Sequence, residues 1–163
     1  MGRPTIYLPV RLFTAWILAW LTMAAAAAGP LAPAADLAAD AAVLRQKRLP
    51  MLVLFSRHDC PWCEKVRRLH LEPLAGDGRT QALLREVDVE AATPLVDFDG
   101  RRTSHQAFAA GRKARFTPTV MFLGPDGQPL TDAIVGYPSP DFYGGLIDNA
   151  LDKSRARLRS DMP

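Results

Sequence analysis

Met51-Leu52-Val53-Leu54-Phe55 is followed, four residues later, by Cys60-Pro61-Trp62-Cys63, which holds both cysteines of the 163-residue chain. An unbroken apolar run this short predicts a strand that is buried on both faces. After the motif, Cys63, Val66 and Leu69 recur at helical spacing. A helix is therefore predicted to begin near Pro61, because proline has no N–H group to leave unsatisfied at a first helical position.

The two cysteines occupy different positions on this predicted helix. Cys60 lies at or just before the N-terminus, where unpaired N–H groups and the helix dipole favour a thiolate over a thiol. Cys63 follows about one turn later and is placed to attack any mixed disulfide that Cys60 forms. The spacing predicts a dithiol that cycles between reduced and oxidised states.

Other uses of two cysteines fit less well. A structural disulfide over so short a loop would constrain the unfolded chain very little. A zinc site needs about four ligands, and none of the three histidines (His58, His70 and His105) has a paired-ligand spacing. Haem attachment requires histidine directly after the second cysteine, where Glu64 stands. A Cu(I) carrier on the two thiolates stays open. We predict no metal site and no cofactor beyond the redox-active pair.

The N-terminus has the pattern of a targeting segment. Arg3 and Arg11 supply positive charge, residues 12–28 carry none, and residues 24–28 are all alanine, small residues of the kind a signal peptidase accepts. Seventeen uncharged residues fall short of the roughly 20 strongly apolar residues of a spanning helix. Residues 1–28 are predicted to be a cleaved signal peptide, with an uncleaved membrane anchor as the alternative. A bacterial periplasm, where disulfides persist, is the predicted location.

Charge and composition exclude some functions. Loss of residues 1–28 would leave 18 basic against 17 acidic residues, so the basic pI of about 9.1 does not indicate nucleic-acid binding. We find neither a stripe of alternating aromatic and basic residues nor a Gly-rich phosphate loop. Residues 29–35, rich in Pro and Ala, are predicted to be a linker, and residues 156–163 a basic C-terminal tail.

The remaining chain alternates helical and strand patterns. A leading helix capped by Asp36 precedes the order β-α-β-α-β-β-α, with the dithiol at the head of the first core helix. Residues 80–84 are predicted to form a helical turn, residues 91–102 a loop, and residues 129–135 a hairpin strand. A final helix is predicted to begin at Asp141. This pattern predicts one α/β domain over residues 36–155.

Residues 36–155 resemble the thioredoxin superfamily. The motif after an apolar strand carries the likeness, together with Thr117-Pro118-Thr119 before a strand and the turn Gly124-Pro125-Asp126-Gly127. The resemblance implies a central mixed β-sheet flanked by helices, here with an extra N-terminal helix. With its Phe98-Asp99-Gly100 loop, the chain is most similar to secreted proteins of the SoxW and thioredoxin-related periplasmic groups.

The resemblance also implies roles for individual residues. Cys60 would be the attacking thiolate and Cys63 the resolving thiol. Pro118, cis by resemblance, would line a substrate groove with Thr117, and Trp62 would belong to the partner-binding face. The candidates for tuning the Cys60 pKa are Pro61, Arg57, His58 and Glu64, with Asp59 and Glu64 opposing a lowered pKa.

Two departures from thioredoxin bear on the function. The residues between the cysteines are Pro-Trp rather than Gly-Pro, and Leu54 stands where thioredoxin keeps a buried acid. Either water or Glu64 would take the proton of the resolving cysteine, or the protein would work slowly in that direction. We expect a monomeric periplasmic thiol:disulfide oxidoreductase that acts on cysteine-containing secreted proteins. A reducing role, recharged by a membrane or periplasmic thiol donor, is slightly favoured. The alternatives are a disulfide oxidase or isomerase and the Cu(I) carrier.

Overall fold

A computed structural model describes Gly2, residues 31–77 and residues 80–160. The predicted signal peptide, Gly2 apart, lies outside these residues, as do residues 161–163 of the predicted tail. The helices are α1 (Leu37–Lys47), α2 (Pro61–Val66), α3 (Glu72–Gly76), α4 (His105–Gly111) and α5 (Tyr143–Ser160). The strands are β1 (Met51–Ser56), β2 (Leu83–Asp88), β3 (Pro94–Val96), β4 (Arg102–Ser104), β5 (Thr119–Leu123) and β6 (Ile134–Val135).

Strand β1 is a central strand of the four-stranded sheet, whose order is β2-β1-β5-β6. It pairs in parallel with β2 and antiparallel with β5, and all six of its residues are buried. This is the doubly buried strand that the apolar run predicts. The chain has the mixed sheet, the flanking helices and the additional N-terminal helix expected from its sequence.

Alternate residues of β1 enter two separate hydrophobic clusters. Leu52 and Leu54 pack in one cluster with apolar side chains of α2 and α5, among them Val66, Tyr143 and Ile147. Val53 and Phe55 pack in the other with side chains of α1 and α4. Because successive side chains of a strand point to opposite faces, the sheet is covered on both sides.

The helix α1 begins after Asp36, as its sequence predicts. The Asp36 carboxylate accepts a hydrogen bond from Ala39 N (2.8 Å), which satisfies a donor of the first turn. The helix ends where Arg48 adopts a left-handed conformation (φ 56°). Buried Asp40 forms a two-point ion pair with Arg85, with N···O distances of 2.6 and 2.8 Å, which ties α1 to β2.

The predicted linker is partly built into the sheet. Ala34 N donates to Glu86 O (2.8 Å), and Glu86 N donates to Ala32 O (2.9 Å). Leu31 and Ala34 are buried. Residues 31–35 therefore run along the outer edge of β2, where Pro33, which lacks an N–H group, is tolerated.

The helix that carries the dithiol is irregular and continues beyond α2. After α2 the chain makes one π-helical turn, Arg67–Leu71, and continues into α3, which ends at Gly76. Pro73 lies in the first turn of α3. Pro73 and Gly76 are residue types common in loops, yet the chain stays helical through Gly76.

Several other boundaries differ from the sequence prediction. Residues 83–84 belong to β2 rather than to a helical turn, and part of the predicted loop forms the β3–β4 hairpin. The predicted hairpin strand is short, with Ile134–Val135 and one isolated bridge from Pro129 to Leu123. The final helix reaches Ser160, so the described part of the predicted basic tail is helical. Among the described residues, no helix is long and apolar enough to cross a membrane.

Candidate active site

Cys60 and Cys63 are joined by a disulfide bond, with their Cα atoms 5.2 Å apart. Cys60 is the N-cap residue of α2, and Pro61 is the first residue of the helix, as the sequence predicts. The two sulfur-bearing residues differ in access, because Cys60 is 8% exposed and Cys63 is fully buried. A partner can therefore reach Cys60 first.

Backbone groups at the head of α2 contact Cys60 directly. Cys63 N donates to Cys60 Sγ (3.1 Å), and Glu64 N donates to Cys60 O (3.1 Å). The first donor is one that the helix itself cannot satisfy, so the sulfur caps the helix. The same N–H group would favour a negative charge on Cys60 once the disulfide is reduced.

Two of the side chains predicted to tune the Cys60 pKa, Arg57 and Glu64, form ion pairs with other side chains. Arg57 lies 3.8 Å from Glu90 in an exposed ion pair. The Glu64 carboxylate pairs with Arg67 and Arg68 of its own helix. His58 is exposed and lies in the turn before Cys60. These contacts direct Arg57 and Glu64 toward other side chains rather than toward the sulfur atoms.

Thr117 and Pro118 lie at the end of the sheet from which the dithiol loop departs. The register pairs Thr119 of β5 with Phe55 of β1, which places residues 117–118 beside the exit of β1. The Thr117–Pro118 peptide bond is cis, and Pro118 is buried. Within the described part of the chain, neither backbone polar group of Thr117 has a hydrogen-bond partner. These groups are free to pair with an extended segment of another chain.

An aromatic cluster beside the dithiol includes a residue that sequence reasoning missed. Trp62 is 50% exposed, and its ring lies against the ring of Tyr137, with centroids 5.7 Å apart. Tyr137 also contacts His70 and buried Tyr143. The signal for Tyr137 was its position directly after Gly136, the glycine that follows the last strand.

Leu54 stands where thioredoxin keeps a buried acid, but a carboxylate from the neighbouring strand β2 lies beneath α2. Glu86 is the β2 neighbour of Leu54 in the parallel register. Its carboxylate accepts hydrogen bonds from Ser56 Oγ and from the guanidinium of Arg67, with Nε–O distances of 3.0 and 3.2 Å. The hydrogen bond to Glu86 raises the pKa of Arg67. The pair fixes the dithiol helix to β2.

Burial shifts the pKa of two other ionisable side chains near Trp62. Desolvation lowers the pKa of His70 below the ordinary histidine value. Desolvation raises the pKa of Tyr143, with a smaller contribution from Tyr137. Both residues are therefore neutral at pH 7. The hydroxyl of Tyr143 is buried and has no hydrogen-bond partner among the described residues.

The described residues contain no group of three or more His, Cys, Asp and Glu side chains that could hold a metal ion. The cysteine pair itself can accept two electrons when the disulfide opens and donate them when it closes.

The sheet order, the dithiol at a helix N-terminus and the neighbouring proline loop define a thioredoxin-type fold. A family model described as a thioredoxin-like domain matches residues 37–151. The chain belongs to this thioredoxin-like family. A domain of this kind with so closely spaced a cysteine pair fits a thiol:disulfide oxidoreductase.

Solved structures support the likeness of fold. Fasciola hepatica thioredoxin is 18% identical, with a TM-score of 0.52, over 76% of this chain and 99% of that one. Oxidised mitochondrial thioredoxin 3 of Saccharomyces cerevisiae is 16% identical, with a TM-score of 0.50, over 75% and 93%. No curated protein sequence gave a significant match.

Proposed function

We propose that this protein is a periplasmic thiol:disulfide oxidoreductase of the SoxW or thioredoxin-related type, which reduces disulfides in secreted proteins. The observation that carries the proposal is the unequal access to the two cysteines. Cys60 reaches the surface and its sulfur accepts the Cys63 N–H, whereas Cys63 is fully buried. This asymmetry supports attack by Cys60 and resolution by Cys63.

The reaction proceeds in two exchanges. In the reduced protein the Cys60 thiolate attacks a partner disulfide, which forms a mixed disulfide and releases one partner thiolate. Cys63 then loses its proton and attacks Cys60 Sγ, which closes the Cys60–Cys63 bond and releases the second partner thiolate. Two electrons pass to the partner. A membrane or periplasmic dithiol donor restores the reduced pair by the reverse chemistry.

The partner would lie along the face formed by Trp62, Thr117 and Pro118. The free backbone groups of Thr117 would pair with an extended partner segment in strand-like fashion. Exposed Phe116 and Val135, at 71% and 54%, flank this face and would add apolar contact. Secretion is supported by Arg3, Arg11 and the uncharged residues 12–28.

The reduction potential of the cysteine pair tests the direction of transfer. The protein is equilibrated with glutathione buffers, and the reduced fraction is measured after acid quenching. A potential near about −270 mV supports a reductase, whereas a value near about −120 mV would identify an oxidant. A pair that fails to equilibrate would overturn the redox function, and an anaerobic Cu(I) titration would then test the carrier alternative.

Two variants test the proposed roles of Cys60 in attack and Cys63 in resolution. Cys60→Ser should abolish exchange with protein disulfides, whereas Cys63→Ser should accumulate mixed disulfides that are visible on non-reducing gels. Full activity in Cys60→Ser would rule out the mechanism. Fractionation of cells that express the full chain, with mass analysis of the N-terminus, tests both export and cleavage after residue 28.

A further inference from the structure

Tyr137 lies next to the face on which a partner would approach Cys60. It follows Gly136, which has a positive φ of 75° and whose N–H group donates to Pro118 O (2.7 Å). The turn after β6 is thereby fixed to the proline loop. It sends the chain back toward the dithiol helix, where the Tyr137 ring meets Trp62.

The ring of Trp62 has two neighbours that restrain it. The Tyr137 ring is inclined at 35° to it with centroids 5.7 Å apart, a geometry typical of aromatic pairs. The Lys65 ammonium lies 4.5 Å from the Trp62 centroid, within the range of a cation–π contact. Half of the Trp62 side chain nevertheless stays exposed. The ring is thus restrained and still available to a partner.

Tyr137 is itself held by the interior. Its hydroxyl shares a 3.1 Å hydrogen bond with Nε2 of His70, which lies in the π-helical turn after α2. Its ring contacts the ring of fully buried Tyr143, with centroids 4.8 Å apart. Trp62 is therefore connected through the Tyr137 side chain to both the π-helical turn after α2 and the start of α5.

We propose that Tyr137 is a positioning residue that holds Trp62 ready for a protein partner and so favours protein disulfides over small ones. The inference rests on the proposed function. An unrestrained tryptophan would have to be ordered when the partner binds, which weakens binding, whereas a ring ordered in advance avoids that loss. A small aliphatic disulfide needs only access to Cys60 and gains nothing from Trp62.

The test compares two substrates in single-turnover reactions of the prereduced full-length protein. The rate constants are measured for insulin, a protein disulfide, and for bis(2-hydroxyethyl) disulfide. Tyr137→Ala should lower the insulin rate constant about two- to tenfold, the size expected for one aromatic pair, and leave the small-disulfide rate constant unchanged. Tyr137→Phe is the matched control, because it keeps the ring and should stay within about twofold of wild type.

A double-mutant cycle shows whether Tyr137 acts through Trp62. In a Trp62→Ala background, Tyr137→Ala should have little further effect on the insulin rate constant, because the two residues act as one unit. Fluorescence anisotropy decay supplies an independent readout in a Trp16→Phe, Trp20→Phe protein, where Trp62 is the only tryptophan. Tyr137→Ala should add fast local motion of that indole.

The outcomes separate this inference from the function on which it rests. If wild type reduces neither disulfide, the proposed function fails. If wild type is active and Tyr137→Ala matches it on insulin, the positioning role is overturned. Equal losses on both substrates would also overturn it, because they indicate general damage to the dithiol. Additive effects of Trp62→Ala and Tyr137→Ala would show that Tyr137 does not act through Trp62.

Discussion

The backbone N–H group of Cys63 donates to the sulfur of Cys60 at an N···S distance of 3.1 Å. Cys63, which we propose resolves a mixed disulfide, thus also supplies a backbone donor to Cys60, which we propose forms it. Because the contact comes from the backbone, it survives replacement of the Cys63 side chain. The reactivity of Cys60 in this environment can therefore be measured in a protein that has only one cysteine.

The first prediction concerns the reactivity of the reduced pair. In Cys63→Ser the remaining Cys60 should react with iodoacetamide at pH 7 about tenfold faster than Cys63 does in Cys60→Ser. The reason is that Cys60 is 8% exposed and caps α2, where the Cys63 N–H group would favour a thiolate, whereas Cys63 is fully buried. Timed alkylation followed by mass spectrometry gives both rates. Equal rates would contradict the assigned roles.

The second prediction concerns the ion pair that fixes the dithiol helix to β2. The Arg67 and Glu86 side chains are only 22% and 16% exposed, and Glu86 also accepts from Ser56. Glu86→Gln should lower the free energy of unfolding by about 1.5–3 kcal/mol, as for hydrogen bonds to charged groups. Urea denaturation of the oxidised protein measures the loss.

The matched control for this prediction is the ion pair between Arg101 and Asp99. Its side chains are 79% and 49% exposed. Asp99→Asn should change the free energy of unfolding by less than about 1 kcal/mol, because exposed pairs contribute little. If Glu86→Gln and Asp99→Asn lower the free energy of unfolding equally, the Glu86–Arg67 pair has no special role in holding α2.

The sequence predicts the elements whose signals are local. The apolar run of β1, the Pro61 start of α2 and the Asp36 cap each depend on neighbouring residues, and the structure has all three. The β3 and β4 strands were missed because each spans only three residues and shows no alternation. The π-helical turn has no local signal either, since its residues would suit an α-helix equally well.

The parts of the site that depend on long-range pairing could not be predicted. The sequence shows Leu54 in place of an acid, but it does not show which residue of another strand lies beside Leu54. The parallel register then puts Glu86 beside Leu54 from a strand about 30 residues later. Tyr137 similarly meets Trp62 only because the turn after β6 is fixed to Pro118. Neither contact follows from spacing along the chain.

The third prediction concerns the buried hydroxyl of Tyr143. Tyr143→Phe removes a polar group that is buried without a partner among the described residues. It should leave the free energy of unfolding unchanged or raise it by about 1 kcal/mol, because no hydrogen bond is lost. Tyr143→Ala should lower it by about 3–5 kcal/mol through loss of packing. A clear loss of stability in Tyr143→Phe would mean that the hydroxyl has a partner in solution.

The last prediction concerns the pH dependence that His70 confers. Burial lowers the pKa of His70 below 6.5, so the unfolded chain binds this proton more readily than the folded chain does. The stability that neutral His70 contributes is fully present above about pH 6.5 and is lost as the pH falls toward the pKa of the folded state. His70→Phe should therefore show a smaller decrease in the free energy of unfolding between pH 7.5 and pH 5 than wild type shows. His58→Gln, at an exposed histidine of the turn before Cys60, should keep the wild-type slope, and urea denaturation at each pH measures all three proteins. A wild-type slope in His70→Phe would mean that the folded protein accommodates imidazolium at this position as readily as water does.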